Sequence, residues 1–358
     1  MNKSKNITKT AKAIILVGLF AMVLVPAIAA AQDDVIKWRL QSLLSSGGSD
    51  WKKSVVALRD KLYERTGGRL DIELHSAESL VGSSEIFPAV SRGVIQIGHT
   101  SPAYIMDYIS TASLAWGPSS FRNVSEAAYF WKHLGFEDII RREALEKHNI
   151  HYFTDLLYFT RLVLNKPVKT NEDFEALRIR ASGSLAKFIA DSGAATAFVS
   201  GSELYQSLST GAVDGAHWGG AQNANDLSLY EPAKYHASAV LGIANEIFII
   251  NDQALSSLPE DIQTTVRSTL EEHFWARTNQ YEIEELEMLN QLASEKGVQT
   301  IDLPEEIVER MDKATHDFRH SEAKKSEYTA EAVERLEAYL GVLGYLSNCR
   351  DYPSTSAA

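Results

Sequence analysis

A single cysteine, Cys349, occurs among 358 residues, so no intrachain disulfide can form and stability must come from packing. Beyond residue 31 no run is long and apolar enough to span a bilayer. Positive charge is in deficit: 35 Lys and Arg stand against 47 Asp and Glu, a net charge of −12. Such a chain is a poor general binder of nucleic acid or of anionic membranes. Catalytic signatures are missing too: there is no phosphate loop of the Walker type, no G-x-S-x-G and no H-E-x-x-H. The ten histidines are scattered. His148 and His151, the closest pair, are three apart in an extended stretch, which does not suit a helical zinc pair. No internal repeat or low-complexity run occurs.

What is present suits a soluble globular protein: 45% hydrophobic and 23% charged residues, with length for two lobes. The first 31 residues differ. Lys3, Lys5, Lys9 and Lys12 precede an uncharged, mostly aliphatic stretch from Ala13 to Ala30. Ala29 and Ala31 fit the small-x-small rule, which puts a signal-peptide cut before Gln32. A membrane anchor is the alternative; the Ala-rich end and the polar Gln32-Asp33-Asp34 favour cleavage, and no cysteine is there to carry a lipid. Removing four Lys and no acid takes the net charge from −12 to −16.

Along the remainder, alternation predicts strands at 35–42, 70–75 and 94–99, with helical periodicity over 51–66 and 83–92 between them. Asp50 is placed to cap the first helix. This β-α-β-α-β order predicts an α/β lobe with a mainly parallel sheet. Helices over 124–133 and 137–147 follow, then strands at 150–158 and 160–165. A second run of α/β units spans 177–218, and 239–250 reads as a strand that crosses back. From Pro259 the chain turns to long charged amphipathic helices over 261–293, 304–319 and 326–343, read as braces packed outside the lobes, with a dimer through them as the alternative. Two lobes joined by crossing strands predict a cleft that opens by hinge motion.

Two arginines stand in apolar strand settings: Arg161 within Leu156–Leu164, and Arg180 after Leu177-Arg178-Ile179. A buried guanidinium is costly unless an anion pairs with it, and its fork matches a carboxylate. Either an internal salt bridge or a ligand clamp satisfies that demand. Trp218 is a cleft wall or a core residue; His217 beside it points to the opposite side of a regular strand. Tyr104, Tyr158 and Phe159 offer an aromatic lining, with ordinary core as the alternative.

These residues resemble the periplasmic solute-binding subunits of tripartite ATP-independent periplasmic (TRAP) transporters. Leu177-Arg178-Ile179-Arg180, Gly193-Ala194 and the stretch from Ser202 to Gly215 (SELYQSLSTGAVDG) look like that family's K-(I/L/M)-R … G-A … E-(L/I/V)-Y-x-A-L-Q-T-G-x-V-D-(G/A) signature. Ser207 replaces its usual Ala and Ser209 its usual Gln. Gly67–Ile72 and Ala89–Thr100 look like first-lobe signatures. Trp218, Asn225-Asp226-Leu227 and Ala233-Lys234-Tyr235 resemble the branch that binds 2-oxo acids and similar monocarboxylates. The resemblance implies two α/β lobes with a hinge: residues 32–157 with 245–283 in the first, 158–244 with 284–345 in the second, and 346–358 as a polar tail. It also implies that Arg180 holds a substrate carboxylate, that Arg161 assists, and that Trp218 lines the cleft.

Departures bear on metal binding. In the 2-oxo acid branch a metal ion bridges carboxylate and protein, and an acidic residue precedes the Trp; here His217 stands there. A Gln expected before the first Arg is replaced by Leu157 or Tyr158, leaving Glu246 near the remaining position. No metal and no cofactor are therefore expected. The expected function is non-catalytic: capture in the periplasm of a small organic carboxylate, a 2-oxo or hydroxy acid or an aromatic or aliphatic acid, and delivery to TRAP membrane subunits. A secreted α/β enzyme acting on a carboxylic acid, with His217 or Glu246 beside Arg180, is one alternative. A ligand-binding partner of a membrane sensor is another.

Overall fold

The computed structural model describes residues 35–345. The expected signal peptide with its cut before Gln32, the polar tail and Cys349 lie outside the described residues. Twelve strands occur there: β1 Ile36–Ser42, β2 Leu70–His75, β3 Ile97–Thr100, β4 Gly117–Pro118, β5 Ile150–Thr160, β6 Leu162–Leu164, β7 Arg178–Arg180, β8 Ala195–Ala197, β9 Gly215–His217, β10 Tyr235–Ala237, β11 Gly242–Asn251 and β12 Gln299–Ile301. They form two six-stranded sheets, ordered β2-β1-β3-β11-β4 with β5 also on β11, and β12-β10-β6-β9-β7-β8.

Each sheet anchors one lobe, and its pleat sends successive side chains to opposite faces. On β11, Ile247 and Ile249 join the core beneath helices Val124–Lys132 and Phe136–His148, while Phe248 and Ile250 join the core beneath helix Ala57–Arg65. The second sheet is covered likewise, by helix Ser184–Asp191 on one face and helix Gly201–Ser209 on the other. Burying each large apolar side chain contributes about 1.5–3 kcal/mol, which offsets the absence of cross-links.

The mainly parallel sheet holds only in part. β1 pairs β2 and β3 in parallel, and β7 pairs β8 and β9 in parallel. The crossing strands run the other way: β11 is antiparallel to β3, β4 and β5, and β6 is antiparallel to β9 and β10. A strand that leaves one lobe and enters the other arrives reversed relative to the local β-α-β units. The crossings are short. Only Arg161 separates β5 from β6, and residues 238–241 separate β10 from β11.

Helix Glu260–Lys296, 37 residues and about 55 Å long at 1.5 Å per residue, braces both lobes. Ile262, Val266, Leu270 and Phe274 pack on the first, and Leu292 on the second. Between them Tyr281 stacks near Tyr158, ring centroids 4.8 Å apart. Helix Glu305–Glu322 packs on the second lobe through Ile307 and Met311 and reaches the first through Phe318, Arg319 and Glu322, and helix Glu327–Val342 lies on the first through Tyr328, Ala332 and Leu340. The stretch 284–345 thus serves both lobes. Asp50 makes no side-chain cap; its carboxylate pairs instead with the buried Arg277.

Candidate functional site

The two lobes face each other across the carboxyl ends of their parallel strands, where open α/β sheets bind ligands. Arg180 is the last residue of β7; His217 ends β9 with Trp218 after it. From the first lobe, Tyr104 ends a short turn just beyond β3, and Trp116 immediately precedes β4. Across this seam Ser184 Oγ donates to the Trp116 carbonyl (3.4 Å) on one side, and Gln222 Nε2 donates to Ser49 Oγ (2.8 Å) on the other.

Arg180 is 6% exposed. Its Nε donates to the Val199 carbonyl and its Nη1 to the His217 carbonyl, both at 2.9 Å, and Nη2 has no acceptor among the described residues. The Trp218 ring lies beneath the guanidinium at 4.7 Å and the Phe198 ring at 5.9 Å. No carboxylate among the described residues pairs with it. Burial pulls its pKa from 12.5 down to about 10, partly opposed by Tyr104, so it stays charged at neutral pH. A desolvated cation fixed by two carbonyls and two aromatic faces, with one N–H edge free, has the chemistry to accept an anion.

Local backbone holds this arrangement. Gly201 lies so close to Trp218 that a Cβ would come within 2.5 Å of the indole. Gly219 adopts φ +64, which lets its carbonyl accept from Thr160 Oγ1 (3.0 Å) and the Arg161 N–H (3.3 Å).

Arg161 occupies the crossover itself. Its Nε donates to the Ser238 carbonyl (3.3 Å) on the other crossing segment, and its guanidinium makes no ion pair among the described residues. Burial lowers its pKa, and Glu285, Tyr230 and Tyr281 partly restore it. Arg180 instead faces Tyr104 and His217. The two arginines therefore stand in different surroundings, one at the hinge and one on the cleft wall.

The remaining candidates divide between wall and core. His217 is 2% exposed, its ring 6.3 Å from that of Trp116, and neither ring nitrogen has a partner. Burial, then the Arg180 charge, lowers its pKa to about 3, so the imidazole is neutral. Glu246 lies mid-β11 with Oε2 buried and unpartnered; burial first, then Asp155 and Asp50, pushes its carboxyl well above the carboxylate range. Tyr104 is 47% exposed and responds to both Glu246 and Arg180. Tyr158 is buried between Trp116 and Tyr281, and Phe159 packs into the first-lobe core, 5.9 Å beneath the Arg161 guanidinium. Trp116 and the exposed Phe198 escaped the sequence reading; both sit in loops, and only strand pairing elsewhere brings them to the seam.

Residues 44–325 match the bacterial extracellular solute-binding protein family 7. The chain belongs to this family, the periplasmic receptors of TRAP transporters. The family consists of solute receptors rather than enzymes. Among similar proteins is the monocarboxylate 2-oxoacid-binding periplasmic protein of Nostoc sp., 23% identical over 320 residues, covering 85% of this chain and 84% of that one. A TRAP periplasmic solute-binding protein of Colwellia psychrerythraea, solved with bound calcium and pyruvate, superposes with TM-score 0.78 at 20% identity over 89% of this chain and 98% of its own. The Bordetella pertussis receptor DctP7, which binds pyroglutamic acid, gives 0.74 at 21% identity, covering 85% and 99%. These likenesses show a shared fold.

A hard cation such as the one bound in the Colwellia protein fits these residues poorly. Calcium and sodium take oxygen donors. Here burial pushes the Glu246 carboxyl well above the carboxylate range, His217 offers nitrogen, and the Arg180 charge acts on His217. Among the described residues no group of three or more His, Cys, Asp or Glu could hold a metal ion.

Proposed function

We propose that this TRAP receptor captures a small organic monocarboxylate in the periplasm, with Arg180 as the carboxylate anchor. One observation carries the reading: a guanidinium 6% exposed, with no carboxylate partner among the described residues. The guanidinium supplies both the charge and a free N–H edge for an anion. Trp218 and Phe198 flank the guanidinium, and Tyr104, Trp116 and Tyr158 line the facing wall. The hinge is Thr160–Leu162 together with 238–241, and Arg161 ties the two crossing segments. Closure excludes water, and the lower local dielectric strengthens the pairing at Arg180. The names of the relatives, an oxoacid receptor, a pyruvate complex and a pyroglutamate complex, support this ligand class. The closed form then hands the acid to TRAP membrane subunits. The mature protein starts at Gln32, and Ile283 and Leu286, exposed on the long helix, supply an apolar patch through which two copies can pair.

Mass spectrometry of small molecules released on denaturing the purified protein tests the reading. The expected result is an organic acid with one carboxylate. Recovery of only a cationic or uncharged compound contradicts it.

A further inference from the structure

Three buried polar atoms on the walls of the seam have no partner: Nδ1 and Nε2 of His217 and Nε1 of Trp116. The two rings belong to opposite lobes and meet edge to face, 6.3 Å between centroids and 76° between planes. The His217 carbonyl accepts from Arg180 Nη1 at 2.9 Å, so the imidazole is one residue's reach from the carboxylate anchor. A buried N–H or lone pair left unmatched is destabilising, and a ligand held at Arg180 brings its next substituent toward these atoms. The chemistry of the set is specific. A neutral imidazole offers one N–H and one lone pair, and an indole offers one N–H. They match an uncharged group such as an oxo oxygen, a hydroxyl or an amide; they leave an alkyl group without a partner and supply no charge to neutralise a second carboxylate.

We propose that the uncharged polar group next to the ligand's carboxylate is held by hydrogen bonds from the imidazole of His217 and the indole N–H of Trp116, and that binding needs no cation. The proposal rests on the reading of Arg180 as carboxylate anchor. It narrows the ligand class to monocarboxylates with an oxo, hydroxyl or amide group on the adjacent carbon.

The test is calorimetry on the purified protein in a sodium-free choline buffer, with pyruvate, lactate and propionate as probes, each with EDTA and with excess calcium. The proposal expects pyruvate or lactate to bind in EDTA, with Kd changing less than about 2-fold on adding calcium. His217→Ala and Trp116→Phe each weaken the better of these two by about 10-fold or more, and shift propionate by less than about 3-fold. Trp116→Phe keeps an aromatic side chain while removing the donor, so it stands if His217→Ala does not fold. Tightening of about 10-fold or more by calcium overturns the proposal, as does an equal loss for propionate in both folded variants. Failure of all three acids to bind in either condition instead overturns the reading of Arg180, and the proposal with it.

Discussion

Arg180 is held in a state that water would relieve. Its guanidinium is buried, its two protein acceptors are neutral carbonyls, and its faces are covered by Trp218 and Phe198. A lysine there keeps the charge and loses the planar fork, so Arg180→Lys should weaken carboxylate binding by about 10- to 100-fold in a titration; equal affinity would show that charge alone suffices. Two histidines make a pH prediction. Burial lowers His217 to about 3 and His236 to about 4, with the Arg180 and Arg161 charges adding in turn. Both stay neutral when folded, while the unfolded chain protonates them near pH 6.5. The unfolded state then binds more protons below about pH 6.5, so stability falls as pH drops toward 4, by up to about 1.4 kcal/mol per pH unit for each group. Thermal melts from pH 7 to 4 check the sign, and His236→Asn should flatten the slope. At this scale the sequence singles out Arg180 as a guanidinium in an apolar strand, a setting that leaves an internal salt bridge and a ligand clamp equally open. Arg161 looks the same in sequence yet sits at the crossover, since which end of a strand faces the cleft depends on pairing partners far along the chain.

Elements set how precisely the anchor is held. Trp218 can lie under Arg180 only because helix Gly201–Ser209 starts with a residue lacking a side chain. Gly201→Ala should push the indole off the guanidinium, cost about 1–3 kcal/mol of stability through overpacking and weaken ligand binding, with the fold retained by circular dichroism. Unchanged affinity would mean that Trp218 is only core. The long elements are read from periodicity with end errors of a few residues: the helix expected over 261–293 spans Glu260–Lys296, and the crossing strand expected over 239–250 spans Gly242–Asn251. Strands β10 and β12, three residues each, carry too few alternations to show a period, and they exist because β6 and Lys234 supply their hydrogen-bond partners. The antiparallel pairings were equally hidden, because strand direction is decided by the crossings between lobes.

At the scale of the whole molecule, the lobes meet at few polar points, and these set the ease of opening. Gln222 Nε2 reaches Ser49, and Asn223 Nδ2 reaches Asp50 at 3.2 Å, both from the second lobe to the first. Gln222→Ala should shift the ligand-free protein toward open forms, read as a larger radius of gyration in solution scattering, with affinity reduced about 3-fold. No change in either quantity would leave these bonds without a role in closure. Under the proposed function, the net charge of −16 left by removing four Lys from −12 gives an organic anion no long-range attraction, and capture rests on the local field of one desolvated cation. Calorimetry of the acid recovered from the purified protein, titrated into the wild type and into Arg180→Ala, tests that dependence most directly. The account predicts saturable binding to the wild type and loss of about 100-fold or more in the variant, with its melting temperature retained or raised. Equal dissociation constants for the two proteins would contradict it.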